Sequence, residues 1–292
     1  MHKAGFVNII GSPNVGKSTL MNRLVGEKVS ITTSKAQTTR HRIMGIVNGE
    51  DYQIVYSDTP GIVEPAYKLH ESMLRFIQSA LADADVFLVM VEIGEKQMKN
   101  PMLQESIQKS DVPAVVLINK IDLADQEKVM EAVDSWKNIF PEARVLPVSA
   151  LHGFNADAVP EIISELLPES PPFFTKDQLT DKPMRFFVSE IIREKILLYY
   201  EKEIPYACEV SVEEYKDEEE IIRIRAVIMV ERDSQKGIII GKGGRALKKI
   251  GTKARRDIEA FAGKKVFLEL FVKVEKNWRS DSSKLKSFGY NH

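Results

Sequence analysis

Only one cysteine, Cys208, occurs in 292 residues, so no internal disulfide can form and a reducing compartment is the natural setting. No uninterrupted apolar run approaches the roughly 20 residues that a membrane-spanning helix needs. The first ten residues enter strand-like sequence without the apolar core of a signal peptide, so a cytoplasmic protein is expected. The five histidines, His2, His41, His70, His152 and His292, are scattered without metal-ligand spacing, which excludes a legible zinc site. Internal repeats and low-complexity tracts are also missing. What is plentiful is apolar and charged sequence, 43% and 28% of residues, which marks a globular chain able to bury a core. Its length suits two domains.

The net charge of −1 conceals an asymmetry. Residues 236–286 hold 15 Lys/Arg against 5 Asp/Glu, a balance of +10, which leaves −11 for the rest. A solvated basic face would account for this; so would a surface built to meet an anionic partner.

Over residues 1–167, short continuous apolar runs at 6–10, 54–56, 86–91, 114–118 and 145–148 alternate with amphipathic stretches of helical spacing, such as 69–81 and 128–139. That pattern predicts an α/β domain with a parallel sheet covered on both faces. Asn48-Gly49 is a hairpin signal and predicts one antiparallel edge strand. The Pro-rich run from Pro168 and the polar stretch to Pro183 read as a linker over 168–183. Residues 184–280 then predict the order αββααβ, a smaller α+β domain, and 281–292 a C-terminal tail.

Gly11-Ser12-Pro13-Asn14-Val15-Gly16-Lys17-Ser18 matches the phosphate-loop pattern between a strand and a helix. Glycines let the loop curl so that backbone N–H groups, including those of Asn14, Val15, Gly16 and Thr19, face phosphate oxygens. Lys17 is placed for the β- and γ-phosphates and the Ser18 hydroxyl for Mg²⁺. Asn119-Lys120-Ile121-Asp122 follows a strand-like run, at the strand end where open α/β sheets bind ligands. Asp122 can accept two hydrogen bonds from guanine that adenine cannot offer. Asn119 would tie loops together, the Lys120 stem would cover the base, and a backbone N–H of Ser149-Ala150 would meet the guanine carbonyl. Asp58-Thr59-Pro60-Gly61 places Asp58 to hold Mg²⁺ through water and the Gly61 N–H to sense the γ-phosphate. Either threonine of Gln37-Thr38-Thr39-Arg40 could complete the Mg²⁺ shell, with Thr39 taken as the candidate.

Together these elements resemble the Ras-like P-loop GTPases over residues 1–167. Gly-x-Pro-Asn-x-Gly-Lys-Ser with Thr-Thr-Arg is similar to the branch acting in translation and ribosome assembly. The resemblance implies GTP and GDP as ligands, Mg²⁺ as cofactor, and Asn14, Lys17, Thr39 and Gly61 as the catalytic set. One departure stands out: Ile62 occupies the position of the water-orienting glutamine, and an aliphatic side chain cannot orient water. The resemblance to this branch implies that Asn14 instead holds K⁺ beside the phosphates; the alternative is that it only caps the loop.

Gly241-Lys242-Gly243-Gly244 is a G-x-x-G turn between two predicted helices. In the following helix Leu247, Ile250, Ala254, Ile258 and Phe261 form one stripe, with Lys248, Lys249, Arg255 and Arg256 on the other side. With the αββααβ order, this resembles a type II KH domain, whose loop clamps single-stranded RNA. The resemblance implies RNA contacts at Gly241, Lys242, Gly243, Gly244, Arg245, Lys248 and Lys249. Trp278 could stack on a base or pack against the domain. Over the whole chain, the resemblance to ribosome-assembly GTPases implies a monomer that binds 16S ribosomal RNA near its 3′ end and acts on the 30S subunit. The basic segment could alternatively make peripheral contact with anionic lipid on the inner face of the cell membrane.

Overall fold

The structure is a computed structural model that describes residues 1–61 and 65–290. They divide into two compact units. One contains 1–61 and Met73–Asp181; the other contains Pro65–Ser72 and 182–290.

The first unit is a six-stranded sheet in the order β2-β3-β1-β4-β5-β6. Its strands are β1 (Lys3–Gly11), β2 (Ile43–Asn48), β3 (Tyr52–Asp58), β4 (Val86–Glu92), β5 (Ala114–Asn119) and β6 (Arg144–Pro147). All neighbours run parallel except β2 and β3, which the turn after Asn48 joins antiparallel. The middle strands read as unbroken apolar runs because both faces are covered: Val86 to Val91 and Val115 to Ile118 are all buried. The helices are α1 (Lys17–Val25), α2 (Lys68–Ala82), which belongs to this unit from Met73 onward, α3 (Pro101–Gln108), α4 (Gln126–Ile139) and α5 (Val159–Leu166). Helix α3 was not legible in advance, although its start is signalled by the Asn100 side chain, which accepts from Leu103 N–H, and by Pro101 at the first position.

Most of the expected linker belongs to this sheet. The buried Gln53 amide accepts from Phe173 N–H (2.8 Å) and Phe174 N–H (3.0 Å) and donates to Phe174 C=O (2.8 Å). Ile46 N–H donates to Leu179 C=O (2.8 Å) and Met44 N–H to Asp181 (3.0 Å). The segment thus covers the open edge of β2, whose backbone groups would otherwise lack partners.

The second unit is a three-stranded sheet, β7 (Glu209–Asp217), β8 (Ile221–Val230) and β9 (Lys265–Val274). The order is β7-β8-β9, with β7/β8 antiparallel and β8/β9 parallel. Helices α6 (Met184–Tyr199), α7 (Asp233–Ile240) and α8 (Arg245–Ala262) complete the order αββααβ. Ile250, Ala254 and Ile258 of α8 are buried in its core, with Leu247 and Phe261 at the margin. The tail expectation is corrected for residues up to 290. Helix α9 (Ser282–Ser287) buries Leu285, Tyr290 is buried, and the Tyr290 hydroxyl donates to Glu209 (2.7 Å). Among the described residues no helix is long and apolar enough to cross a membrane.

Candidate nucleotide and RNA sites

The phosphate loop links the end of β1 to the start of α1. Gly16 sits at φ 107°, a conformation L side chains rarely adopt, and a Cβ there would strike the Asn119 amide. Gly61 also lies close: a Cβ on it would press on Pro13 at 2.9 Å. The Lys17 ammonium is buried and donates to the carbonyls of Gly11 (3.0 Å) and Ser12 (2.9 Å). Burial pushes its pKa down to about 8, while nearby Asp58 and Glu95 pull the other way. Pro13, Asn14, Lys17, Ser18, Thr19, Thr39, Thr59 and Gly61 line one cleft.

Three hydroxyls converge on Asp58, which is fully buried. Its Oδ2 accepts from Ser18 (2.6 Å), Ser30 (2.8 Å) and Thr39 (3.3 Å), and the Ser18 and Thr39 hydroxyls are 2.9 Å apart. Burial raises the Asp58 pKa, and the hydroxyl bonds and Lys17 counter it. Its Oδ1 has no hydrogen-bond partner, an acceptor left over in a buried place. Two hydroxyls beside an under-satisfied carboxylate fit a hard, oxygen-seeking cation. Among the described residues no group of three or more His, Cys, Asp or Glu could hold a metal alone, so such a cation would share its shell with phosphate oxygens, as Mg²⁺ does. The two threonines both line this cleft but differ in what their hydroxyls meet: Thr38 lies 2.6 Å from both Thr33 Oγ1 and Lys35 C=O, while Thr39 meets Ser18 and Asp58. Ser30 was missed; the Ser/Thr richness of its segment was the available signal.

Asn14 lies at φ 63° and its amide donates to Ser34 C=O (3.1 Å). Ile62 lies outside the described residues.

At the end of β5, Asn119 is buried and works in two directions. Its Nδ2 donates to Val15 C=O (2.7 Å), and its Oδ1 accepts from Ala150 N–H (2.9 Å). Phosphate loop and base loop are thereby joined through one side chain. Ser149 Oγ donates to Asp122 Oδ1 (2.6 Å), which holds that carboxyl below its ordinary range. Lys120, at φ 65°, reaches Glu92 (2.9 Å). Both N–H groups of Ser149-Ala150, expected near the guanine carbonyl, have partners within the protein. Ser149 N–H donates to Phe154 C=O and Ala150 N–H to Asn119, so a base oxygen would have to share the latter.

In the second unit, Gly241, Gly243 and Gly244 take φ of 68°, 59° and 74°, and a Cβ on either of the last two would meet nothing within 4 Å. The turn therefore presents bare backbone at the start of α8, where N–H groups favour anions. A groove continues from it, lined by Gly244, Leu247, Lys248, Gly251, Thr252, Arg255, Leu268 and Leu270. Lys249 is not on that wall; its ammonium sits 4.6 Å over the Tyr199 ring. Trp278 is corrected outright. It is fully buried, donates to Ala207 C=O (3.1 Å) and meets Phe288 edge-on, so no base can stack on it.

Comparison with known proteins agrees with this geometry. Residues 6–120 match a family described as 50S ribosome-binding GTPase, and residues 203–279 match the KH domain. GTPase Era of Staphylococcus haemolyticus is 44% identical over 291 residues, 99% of this chain and 97% of the relative. The Staphylococcus epidermidis protein of the same name is 43% identical with the same coverage. A crystal structure of Era with MgGDPNP and nucleotides 1506–1542 of 16S ribosomal RNA superposes with a TM-score of 0.94, at 39% identity and full coverage of both chains. A point variant of Aquifex aeolicus Era bound to GDP·AlF4⁻ superposes at 0.92, with 40% identity, covering 99% of this chain and 100% of that one. Phosphate loop, base loop, G-x-x-G groove and full-length similarity agree, and the chain belongs to the Era family of GTPases.

Proposed function

We propose that this GTPase binds the 3′ region of 16S ribosomal RNA through its KH unit and acts in the cytoplasm, as a monomer, in 30S subunit assembly. The observation that carries the RNA reading is the glycine turn at 241–244, which opens onto a groove walled by Lys248 and Arg255. Era bound to a 16S segment supports the choice of RNA.

In the nucleotide site, backbone N–H groups at the start of α1 and the Lys17 ammonium take the phosphates, and Asp122 and Asn119 serve the base. Ser18, Thr39 and Asp58 are the residues that would hold Mg²⁺, which would offset the charge of the bound phosphates. The Thr39 hydroxyl also meets Ser18 and Asp58 directly, so a cation held there would tie the segment carrying Thr39 to the phosphate loop. Asn14, whose amide nitrogen is occupied by Ser34, keeps its side-chain oxygen for K⁺ beside the phosphates.

Replacing Lys242 and Gly243 by Asp tests the RNA reading. Two carboxylates then stand where a phosphate backbone would pass, and a Cβ fills the approach. Affinity for the 1506–1542 segment should fall steeply and lose part of its salt dependence, with GTP affinity kept. Unchanged RNA affinity in a folded variant refutes the KH reading.

A further inference from the structure

Strand β9 is an edge strand, and its two faces do different things. Its even residues, Val266 to Val274, point to the core, and Leu268 and Leu270 also wall the groove. Its odd residues form the opposite face and read Lys265, Phe267, Glu269, Phe271, Lys273. Phe267 and Phe271 are 45% and 49% exposed. The two half-exposed rings alternate on this face with Lys265, Glu269 and Lys273, so the edge strand carries aromatic surface between charges.

The neighbouring strand answers each ring with an arginine. Arg223, register partner of Phe267, lies 5.6 Å from its ring centroid, and Arg225 lies 5.8 Å from that of Phe271. Both arginines are also paired with carboxylates, Arg223 with Glu218 (3.1 Å) and Arg225 with Glu269 (3.6 Å). Their charge is thus largely answered inside the protein, so what the face offers is flat surface for stacking more than phosphate attraction. Rings and guanidinium planes on an open sheet face are the means by which single-stranded RNA is held through its bases.

We propose that this outer face is a second RNA-contact surface, continuous with the G-x-x-G groove around the free edge of β9, on which bases beyond the groove-bound nucleotides stack against Phe267 and Phe271. The proposal rests on the RNA reading above. An RNA strand in the groove would run beside Leu268 and Leu270, and the next residue of the same edge strand, Phe271, already belongs to the other face. The rings are about 13 Å apart, four residues of strand, so they would meet separate bases.

The probes are the 1506–1542 segment of 16S ribosomal RNA and tetranucleotides tiled along it, four being the length a G-x-x-G groove clamps. Binding is read by anisotropy in the full-length protein. Phe267→Ala with Phe271→Ala should weaken the long segment at least tenfold and leave the best tetranucleotide within twofold. Tyr at both positions should retain long-segment affinity, whereas Leu should not, since stacking needs a ring. Leucine binding as well as phenylalanine overturns the proposal, as does an Ala variant with unchanged long-segment affinity. Equal losses on both probes also overturn it, because they indicate damage to the groove. Failure of the wild-type protein to bind either probe would refute the underlying RNA reading instead.

Discussion

Asn119→Ala tests whether the phosphate and base loops are held as one piece. The residue is buried, and truncation removes two hydrogen bonds, to Val15 C=O at 2.7 Å and from Ala150 N–H at 2.9 Å. Each lost bond with its orphaned partner costs about 1–2 kcal/mol, so about 3 kcal/mol in total is expected. A unit of this size loses roughly 2–4 °C per kcal/mol, so its melting transition without nucleotide should fall by about 6–12 °C. Misplacement of both loops should also lower GDP affinity by about a hundredfold, the equivalent of about 3 kcal/mol. Scanning fluorimetry of nucleotide-free protein and titration with a fluorescent GDP analogue measure the two effects separately. A melting point within 1 °C of wild type and near-normal affinity would show that the loops are held by other contacts and refute this reasoning.

Asp122→Asn should move base preference from guanine toward xanthine, with GTP weakened at least about tenfold; a variant that still prefers GTP over XTP would remove Asp122 from the base site. Lys17 has a pKa of about 8 in the folded protein without nucleotide, and anionic phosphates would raise it. Below pH 8 it is charged in both states, and above pH 8 binding must draw in a proton, so affinity falls as pH rises through 8. Calorimetry at pH 8 in buffers of different ionisation enthalpy should report uptake of about half a proton, and no buffer dependence would contradict the assignment. Turnover should be faster in KCl than in NaCl at equal ionic strength, and Asn14→Ala should abolish the difference while GTP binding is retained; equal rates in the two salts sink the K⁺ proposal.

Some features were legible because they are local. The phosphate loop, the base tetrapeptide after β5 and the hairpin at Asn48-Gly49 each lie within about eight residues, where backbone handedness and side-chain period dominate. The stripe of Ile250, Ala254 and Ile258 on α8 follows from the 3.6-residue period alone. Helix α3, at eight residues, is too short for that period to repeat convincingly. Other features depended on partners far along the chain. Thr38 and Thr39 are chemically identical neighbours, and only the fold brings one of them to Ser18 and Asp58. Trp278 among charges suits either a stacking platform or a ring packed against the domain, and only its contacts with Ala207 and Phe288 select the second. Residues 173–181, proline-flanked, carry no period, and their place comes from distant partners: the Gln53 side chain for Phe173 and Phe174, and the backbone edge of β2 for Leu179 and Asp181. Local sequence therefore determined which chemical groups stand at each turn and strand end. Tertiary structure decided which of them meet, because hydrogen-bond partners and burial are set by contacts that no local pattern encodes.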